Sequence, residues 1–148
     1  MTEAELTPLS HGALNRCFGC GQDNRTGLRL RFFIDREKSI VCRFQLARRF
    51  EGPPGFAHGG VIATLLDEAM SKSNRAQGVV AMTRQMEIDY RKPVPLKKPL
   101  VLTARHTNGQ GRKHRCEAEI ADAAGNVLAR GTALFIAVDL RYLAETAR

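Results

Sequence analysis

The stretch His58-Gly59-Gly60 carries groups that could act on a carbonyl. It stands just where an apolar pattern typical of a helix begins. A helix N-terminus has unpaired N–H groups and a partial positive charge, and glycines let a ligand approach these groups closely. This arrangement suits an oxyanion or a polarised carbonyl. The same residues are also common simply as a turn and a helix start, and spacing alone leaves both interpretations open.

Two acids follow within the same predicted helix, Asp67 and Glu68. Asp67 points about 130° away from the centre of the apolar stripe, which is typical of a solvated helix face. If a partner subunit covers that face, Asp67 becomes a candidate base or nucleophile with a shifted pKa. Glu68 points about 100° further round the helix and is the second candidate acid.

A third stretch with chemical potential is Cys17-x-x-Cys20. It could be half of a zinc site or a redox dithiol, but no second CxxC or HxxxH follows. We therefore expect a structural turn, with no metal and no cofactor. The four cysteines do not make a disulfide framework, and no apolar leader is apparent, so we expect a cytoplasmic protein with reduced thiols.

The elements that would position these groups are one helix and six strands. Apolar residues at helical spacing predict a helix from about Gly60 to Arg75. Alternation with a period of two predicts the strands. These are Leu28–Asp35, Ile40–Ala47, Gln85–Tyr90, Leu100–Arg105, His114–Ile120 and Val127–Val138. The order predicts an α+β fold in a single domain, residues 1–148, with an irregular or flexible start over 1–16. Val127–Val138 is apolar on both faces, which favours burial against a partner subunit.

The chain of 148 residues has a formal net charge of +8, and the excess is local. Residues 84–115 hold nine basic and two acidic side chains. A surface of this kind suits an anionic partner, although solvated strand faces would give the same count. No docking motif or interleaved aromatics favour nucleic acid, and no apolar run favours a membrane. We expect no nucleic-acid or membrane partner, and a phosphorylated small molecule is one partner class that fits this charge.

Four pieces of the sequence together resemble one family. The helix motif His58–Ala69 looks like that of hotdog-fold acyl-CoA thioesterases of the phenylacetate-pathway (PaaI-like) type. The segments Cys17–Leu28, Tyr90–Pro95 and Gly131–Val138 are similar to corresponding segments of the same family. The resemblance covers residues 17–139 and implies one long helix wrapped by a curved antiparallel sheet of about six strands. It also implies a homodimer or homotetramer.

The resemblance further implies the site. The acid nine residues after the motif histidine, Asp67, would be the catalytic carboxylate, acting on the thioester carbonyl or on water. The N–H of Gly59 would polarise the thioester oxygen, with Gly60 beside it and His58 orienting the substrate. Thr83 fits the place of an assisting hydroxyl. In the family the carboxylate and the oxyanion donor come from different subunits.

One departure from the family pattern affects the mechanism. Many relatives carry Asn six residues before the histidine, where this chain has Gly52, and this lets Glu51 compete for a role. The expected function is hydrolysis of an acyl- or aryl-acyl-CoA. A hotdog dehydratase or hydratase and a non-catalytic acyl-CoA binder stay open as alternatives. The basic segment supplies six candidates for the CoA phosphates, namely Arg91, Lys92, Lys97, Lys98, Arg112 and Lys113.

Overall fold

The structure is a computed structural model that describes residues 5–9 and 15–141. Within these residues the long helix packs on a curved antiparallel sheet of seven strands, the α+β architecture that was predicted. In chain order the elements are β1 Thr7–Pro8, β2 Phe33–Ile34, β3 Ile40–Phe44, α1 Gly59–Ala76, β4 Ala81–Tyr90, β5 Leu100–Gln110, β6 Lys113–Asp122 and β7 Val127–Ala137.

Helix α1 starts one residue before and ends one residue after the predicted bounds. Its buried face contains the whole predicted stripe, Ile62, Leu65, Leu66, Ala69 and Met70, each at most 5% exposed. These side chains pack with the helix-facing residues of the sheet in one core cluster. Burying such an apolar face against a sheet stabilises a helix far more than its intrinsic propensity does.

The order of strands across the sheet is β1-β2-β3-β5-β6-β7-β4. Strand β7 therefore lies inside the sheet, paired with β6 on one edge and β4 on the other. Leu134 on its outer face and Phe135 on its helix face are both buried within the single chain. The apolar pattern of β7, from which we predicted burial against a partner subunit, is explained by its central place in the sheet of one chain. Among the described residues, the long strand with an unpaired edge is β4.

Several strand boundaries differ from the sequence prediction: β3 ends at Phe44 instead of Ala47, and β4 begins at Ala81 instead of Gln85. Only Phe33 and Ile34 of the first predicted strand join the ladder, because Arg29 has a left-handed backbone (φ 51°) and the N–H groups of Leu28 and Leu30 bond to carbonyls of the 17–21 turn. Strand β5 continues to Gln110, past its predicted end at Arg105, and β6 begins at Lys113. The turn between them is therefore the two residues 111–112.

The irregular start predicted over residues 1–16 contains a short strand, since Thr7 and Pro8 pair with β2. The rest of that prediction falls partly on residues 1–4 and 10–14, which lie outside the described part of the chain. No helix within the described ranges has the length and apolar character needed to cross a membrane.

Candidate active site

The N-terminus of α1 is capped by the side chain of His58. Its Nδ1 atom accepts a hydrogen bond from the Gly60 N–H at 2.9 Å. Nδ1 must be unprotonated to accept this bond, so the neutral ring carries its proton on Nε2. The His58 side chain is exposed, and its Nε2–H is therefore oriented by the cap while staying available as a donor.

The two glycines after His58 differ in their surroundings. A Cβ at Gly60 would lie 3.1 Å from His58 Nδ1, whereas a Cβ at Gly59 would meet only the Tyr90 ring, at 3.8 Å. Gly60 thus makes room for the His58 ring. The sequence predicted that Gly60 binds substrate, but in the structure its N–H donates to His58 Nδ1. The N–H of Gly59 has no intrahelical partner, and no described residue bonds to it.

Tyr90, the last residue of β4, holds the next peptide, between Gly59 and Gly60. Its hydroxyl donates to the Gly59 carbonyl oxygen at 3.0 Å. In the sequence Tyr90 stands out only as part of a motif, with no role of its own. The signal that could have found it is its place at the end of the alternating Met86, Ile88, Tyr90 face, where a polar tip projects beyond the core.

Asp67 and Thr83 are brought together by a β-bulge. Thr83 Oγ1 donates to Asp67 Oδ1 at 2.5 Å. Strict alternation would put Thr83 on the outer face of β4 with Gln85. The register shift between Thr83 and Gln85 instead pairs Thr83 with Phe135, which faces the helix. The bond holds Oδ1, so Oδ2 is the Asp67 oxygen left for chemistry.

The Asp67 carboxylate is half-buried, and this burial raises its pKa above the ordinary value of 3.8. The hydrogen bond from Thr83 lowers the pKa, and the negative charge of Glu68 raises it. Because burial is the largest of the three effects, the carboxylate holds a proton more strongly than an ordinary exposed aspartate does. A carboxylate of this kind is a better proton acceptor.

Glu68, the second candidate acid, faces a different part of the molecule. Its carboxylate contacts Cys17 Sγ at 3.7 Å and Lys72 Nζ at 3.2 Å. Burial raises the pKa of the neighbouring Cys20 thiol to about 12, and the Glu68 charge adds to this effect. The structure therefore does not bring Glu68 to Thr83, although it is adjacent to Asp67 in the chain.

The loop before the helix explains the Gly52 departure. A Cβ at Gly52 would lie 2.7 Å from the His58 Cα atom, too close for any side chain. The loop is closed by the bonds from His58 N–H to the Phe50 carbonyl and from the Gly55 N–H to Glu51 Oε2. Glu51 is thus a loop-closing side chain, and an Asn at position 52 does not fit this backbone.

The six basic candidates form two groups rather than one surface. Arg91, Lys92, Lys97 and Lys98 lie between β4 and β5, where Ala57 and the Val94 carbonyl join this loop to the start of the helix. Arg112 and Lys113 lie at the far end of β5, roughly 30 Å along the strand. Only the first group is near the helix N-terminus of the same chain.

A cavity of about 580 Å³ lies on the outer face of the sheet, opposite α1. Its lining includes Ser39, Arg105, Glu117 and Arg130, but neither Asp67 nor the His58–Gly60 segment. This cavity is therefore separate from the helix-side site.

The sequence matches the family described as the thioesterase superfamily over residues 54–129. Among curated proteins it is 38% identical over 109 residues to acyl-coenzyme A thioesterase THEM4 of Rattus norvegicus, covering 73% of this chain and 47% of that protein. It is 35% identical over 111 residues to the Xenopus laevis protein of the same name, covering 71% and 48%. The chain thus spans about half the length of these relatives.

Solved structures show the same fold. A crystal structure of a thioesterase superfamily protein is 31% identical, with a TM-score of 0.79, covering 82% of this chain and 60% of that one. The PaaI protein of the Escherichia coli phenylacetic acid degradation operon is 19% identical, with a TM-score of 0.70 and coverage of 76% and 81%. At that identity the second likeness shows the fold alone.

Proposed function

This chain belongs to the thioesterase superfamily, and from that premise we propose that it hydrolyses an acyl- or aryl-acyl-CoA to the free acid and CoA. The observation that carries the proposal is the pair of groups on one helix. These are an open N–H at Gly59 and the Asp67 carboxylate held by Thr83 at 2.5 Å. The similarity to acyl-coenzyme A thioesterases of about twice this length supports the substrate class.

The proposed chemistry uses no group outside these residues. The Gly59 N–H donates to the thioester oxygen and stabilises the charge that develops there. Oδ2 of Asp67 either removes a proton from the attacking water or attacks the carbonyl carbon itself. In the first route the C–S bond breaks, the CoA sulfur takes the proton held by Asp67, and the water oxygen completes the carboxylic acid. In the second route the CoA thiolate leaves and takes a proton from solvent, and water then hydrolyses the acyl-Asp67 anhydride to the carboxylic acid and the free Asp67 carboxylate. His58, whose exposed ring keeps its Nε2–H available as a donor, orients the substrate.

The distance between the two groups supports a site built from two chains. Asp67 lies eight residues after Gly59 in α1, a rise of about 12 Å. One carbonyl cannot contact both groups of the same helix, but two antiparallel helices related by a two-fold axis would bring them together. The unpaired edge of β4 supports a homodimer through this strand, and pairs of dimers would give a tetramer.

Arg91 and Lys92 are the best-placed candidates for the CoA phosphates, because they directly follow Tyr90, which contacts Gly59. Arg91 is held by Asp89 at 2.9 Å, and the Lys92 charge lies near the Asp122 carboxylate. Lys97 and Lys98 lie in the same group, whereas Arg112 and Lys113 would reach CoA only from another chain. A cytoplasmic location stays a prediction, supported by four free thiols.

The test measures thiol release from aryl-, short-, medium- and long-chain acyl-CoAs by the full chain and by Asp67→Asn. We expect turnover in the wild type and a loss of at least about a hundredfold in kcat in the variant, because the amide can neither accept the proton nor attack. Asp139→Asn, an exposed carboxylate paired with Arg141, is the matched control and should keep the wild-type rate.

The same panel decides between the alternatives. Micromolar binding of CoA esters without turnover would show a binding protein instead of an enzyme. Hydration of an enoyl-CoA without thiol release would show a hydratase. Turnover that survives Asp67→Asn would overturn the assignment of the carboxylate.

A further inference from the structure

Three side chains that the hydrolysis does not use meet on the back of the helix. We call Cys17, Cys20 and Glu68 the thiol–carboxylate cluster. Their two sulfur atoms and one carboxylate oxygen all lie within 4.8 Å of one another. Cys17 Sγ is 3.7 Å from each Glu68 oxygen. The Glu68 side chain is only 13% exposed, so this is not a solvated surface acid.

The local backbone is shaped to bring the cluster together. The turn that carries both cysteines is closed by the bond from the Gly21 N–H to the Cys17 carbonyl, at 2.9 Å. Gly19 lies between them, and a Cβ there would come within 2.8 Å of the Glu68 side chain. The turn can therefore rest directly on the helix only because this residue has no side chain.

The separations are close to those of a tetrahedral zinc site. With Zn–S near 2.3 Å and Zn–O near 2.0 Å, two ligand sulfurs lie about 3.8 Å apart and a sulfur and an oxygen about 3.5 Å apart. The observed 3.7 Å between Cys17 Sγ and the Glu68 oxygens is within a few tenths of an ångström of the second value. Small rotations of these side chains would complete the geometry.

The charges around the cluster also suit a divalent cation. Cys17 donates to the Glu68 carboxylate as a thiol, and Lys72, with only 9% of its side chain exposed, pairs with Glu68 at 3.2 Å. Two neutral thiols, one carboxylate and one ammonium sum to zero. Exchanging the two thiol protons for one divalent cation leaves that sum unchanged, so the cluster gains no net charge.

A second polar group supports the sulfur of Cys20. The side-chain amide of Asn15 donates to Cys20 Sγ at 3.5 Å. Donors of this kind around a metal-bound thiolate fix its orientation and share its charge. A neutral buried thiol needs no such donor, whereas a coordinating thiolate benefits from it.

We propose that Cys17, Cys20 and Glu68 bind a zinc-type divalent cation, with solvent as the fourth ligand, and so fasten the 17–21 turn to the helix beside Asp67. Two sulfurs and one carboxylate select a borderline-soft ion such as Zn²⁺ over Mg²⁺ or Ca²⁺. A redox dithiol fits less well, because a neighbouring carboxylate disfavours the reactive thiolate and Glu68 would have no part in it. The sequence alone pointed to a plain turn because the third ligand is far along the chain.

The test titrates Co²⁺, which reports on its ligands by absorption, into the reduced, metal-free full chain. We expect one equivalent to bind and to give a thiolate-to-cobalt charge-transfer band that Zn²⁺ abolishes by displacement. We also expect Zn²⁺, but not Mg²⁺, to raise the Tm, because a ligand that binds only the folded state stabilises it.

Variants identify the ligands. Cys17→Ser, at an exposed position that tolerates the change, should weaken Co²⁺ binding by at least about tenfold and reduce the band, and Glu68→Gln should weaken binding similarly. Cys42→Ala and Glu37→Gln, which alter a remote thiol and a remote carboxylate, should leave binding unchanged.

The metal-free Tm of each variant shows that it folds. The proposal fails if the reduced wild type gives no thiolate band, if the band survives Cys17→Ser, or if Glu68→Gln binds as tightly as the wild type. It also fails if intact mass shows a Cys17–Cys20 disulfide that forms in air while the reduced chain binds no cation.

Discussion

Gly59 and Gly60 are adjacent in the chain but serve different ends. Gly60 leaves room for the His58 ring, whose Nδ1 takes its N–H at 2.9 Å. Nothing in the described chain requires a glycine at 59, since a Cβ there would make only ordinary contact with Tyr90. Packing within the described chain therefore does not explain why position 59 is a glycine.

This difference yields a test of the oxyanion donor at the scale of one atom. Gly59 is the first residue of the helix, where proline is well tolerated, and His58 already has the extended backbone that precedes proline. Gly59→Pro should keep the fold and remove only the N–H. We expect kcat for thioester hydrolysis to fall by about a hundredfold or more, because one preorganised donor is lost.

Gly59→Ala is the matched control, since it adds a side chain but keeps the N–H. It should retain most of the activity and an unchanged or slightly higher Tm. Equal kcat values for Gly59→Pro and Gly59→Ala would mean that this N–H does not stabilise the transition state.

Residue roles could be predicted from the sequence only where a motif or a regular period carries them. Asp67 and His58 come from the helix motif, and the structure brings Asp67 to Thr83. Tyr90 was missed, because its bond to the Gly59 carbonyl joins residues 31 positions apart. The contact between Glu68 and Cys17, 51 positions apart, was missed for the same reason.

At the scale of elements, the loop from Phe50 to His58 sets the position of the helix start. It is held by short backbone bonds, among them Gly52 N–H to the Phe56 carbonyl at 2.9 Å. The close approach of Gly52 to His58 leaves no space for a Cβ. Position 52 is therefore a glycine here because the loop passes too close to His58 for any side chain.

Substitution of Gly52 should affect both stability and catalysis. Gly52→Ala forces the loop away from His58, and we expect a loss of about 1–3 kcal/mol in the free energy of unfolding. We also expect a lower kcat, because the displaced histidine no longer caps Gly60. Urea unfolding and thiol-release assays measure the two effects.

Pro54→Ala, in the same loop and exposed, should change neither quantity appreciably. Full stability and activity of Gly52→Asn would show that the loop rearranges freely, contrary to this packing argument.

The elements with a strong period were predicted well, and the others were not. Helix α1 was predicted to within one residue at each end because its five buried apolar residues follow the helical period without a break. The segment 28–32 alternates like a strand, yet it bonds to the 17–21 turn instead of a neighbouring strand. Alternation reports which side chains are buried, and it does not report the partner of each N–H.

At the scale of the whole molecule, the site is incomplete in one chain. Gly59 and Asp67 are about 12 Å apart along α1, so the proposed hydrolysis would need a second copy of the chain. Mixing two inactive variants tests this directly. A dimer of one Asp67→Asn chain and one Gly59→Pro chain contains one intact site, formed by Asp67 of the second chain and Gly59 of the first.

Unfolding and refolding the two variants together should therefore restore about a quarter of the wild-type activity, since half of the dimers are mixed and each has one good site of two. Each variant refolded alone stays inactive and serves as the control. No recovery from the mixture, with mixed dimers demonstrated by mass, would mean that the site lies within one chain.

The charge distribution shows what a sequence cannot convey at this scale. The nine basic residues of 84–115 form one run in the sequence, but a long hairpin carries part of the run to the opposite end of the sheet. Arg112 and Lys113 are thereby separated from Lys97 and Lys98 by the length of β5. Two basic residues that are close in the sequence are therefore far apart in space when a long strand such as β5 lies between them.

The bulge in β4 determines which residues of this strand face the helix, because one extra residue exchanges the two faces of the strand. Between Thr83 and Gln85 the sheet absorbs one extra residue, so positions before it face the helix when odd and positions after it when even. In a relative that lacks the extra residue, the hydroxyl that contacts the aspartate would stand one position away from Thr83 in an alignment without gaps. An insertion or deletion in β4 would therefore break the contact between Thr83 and Asp67 even where both residues are kept.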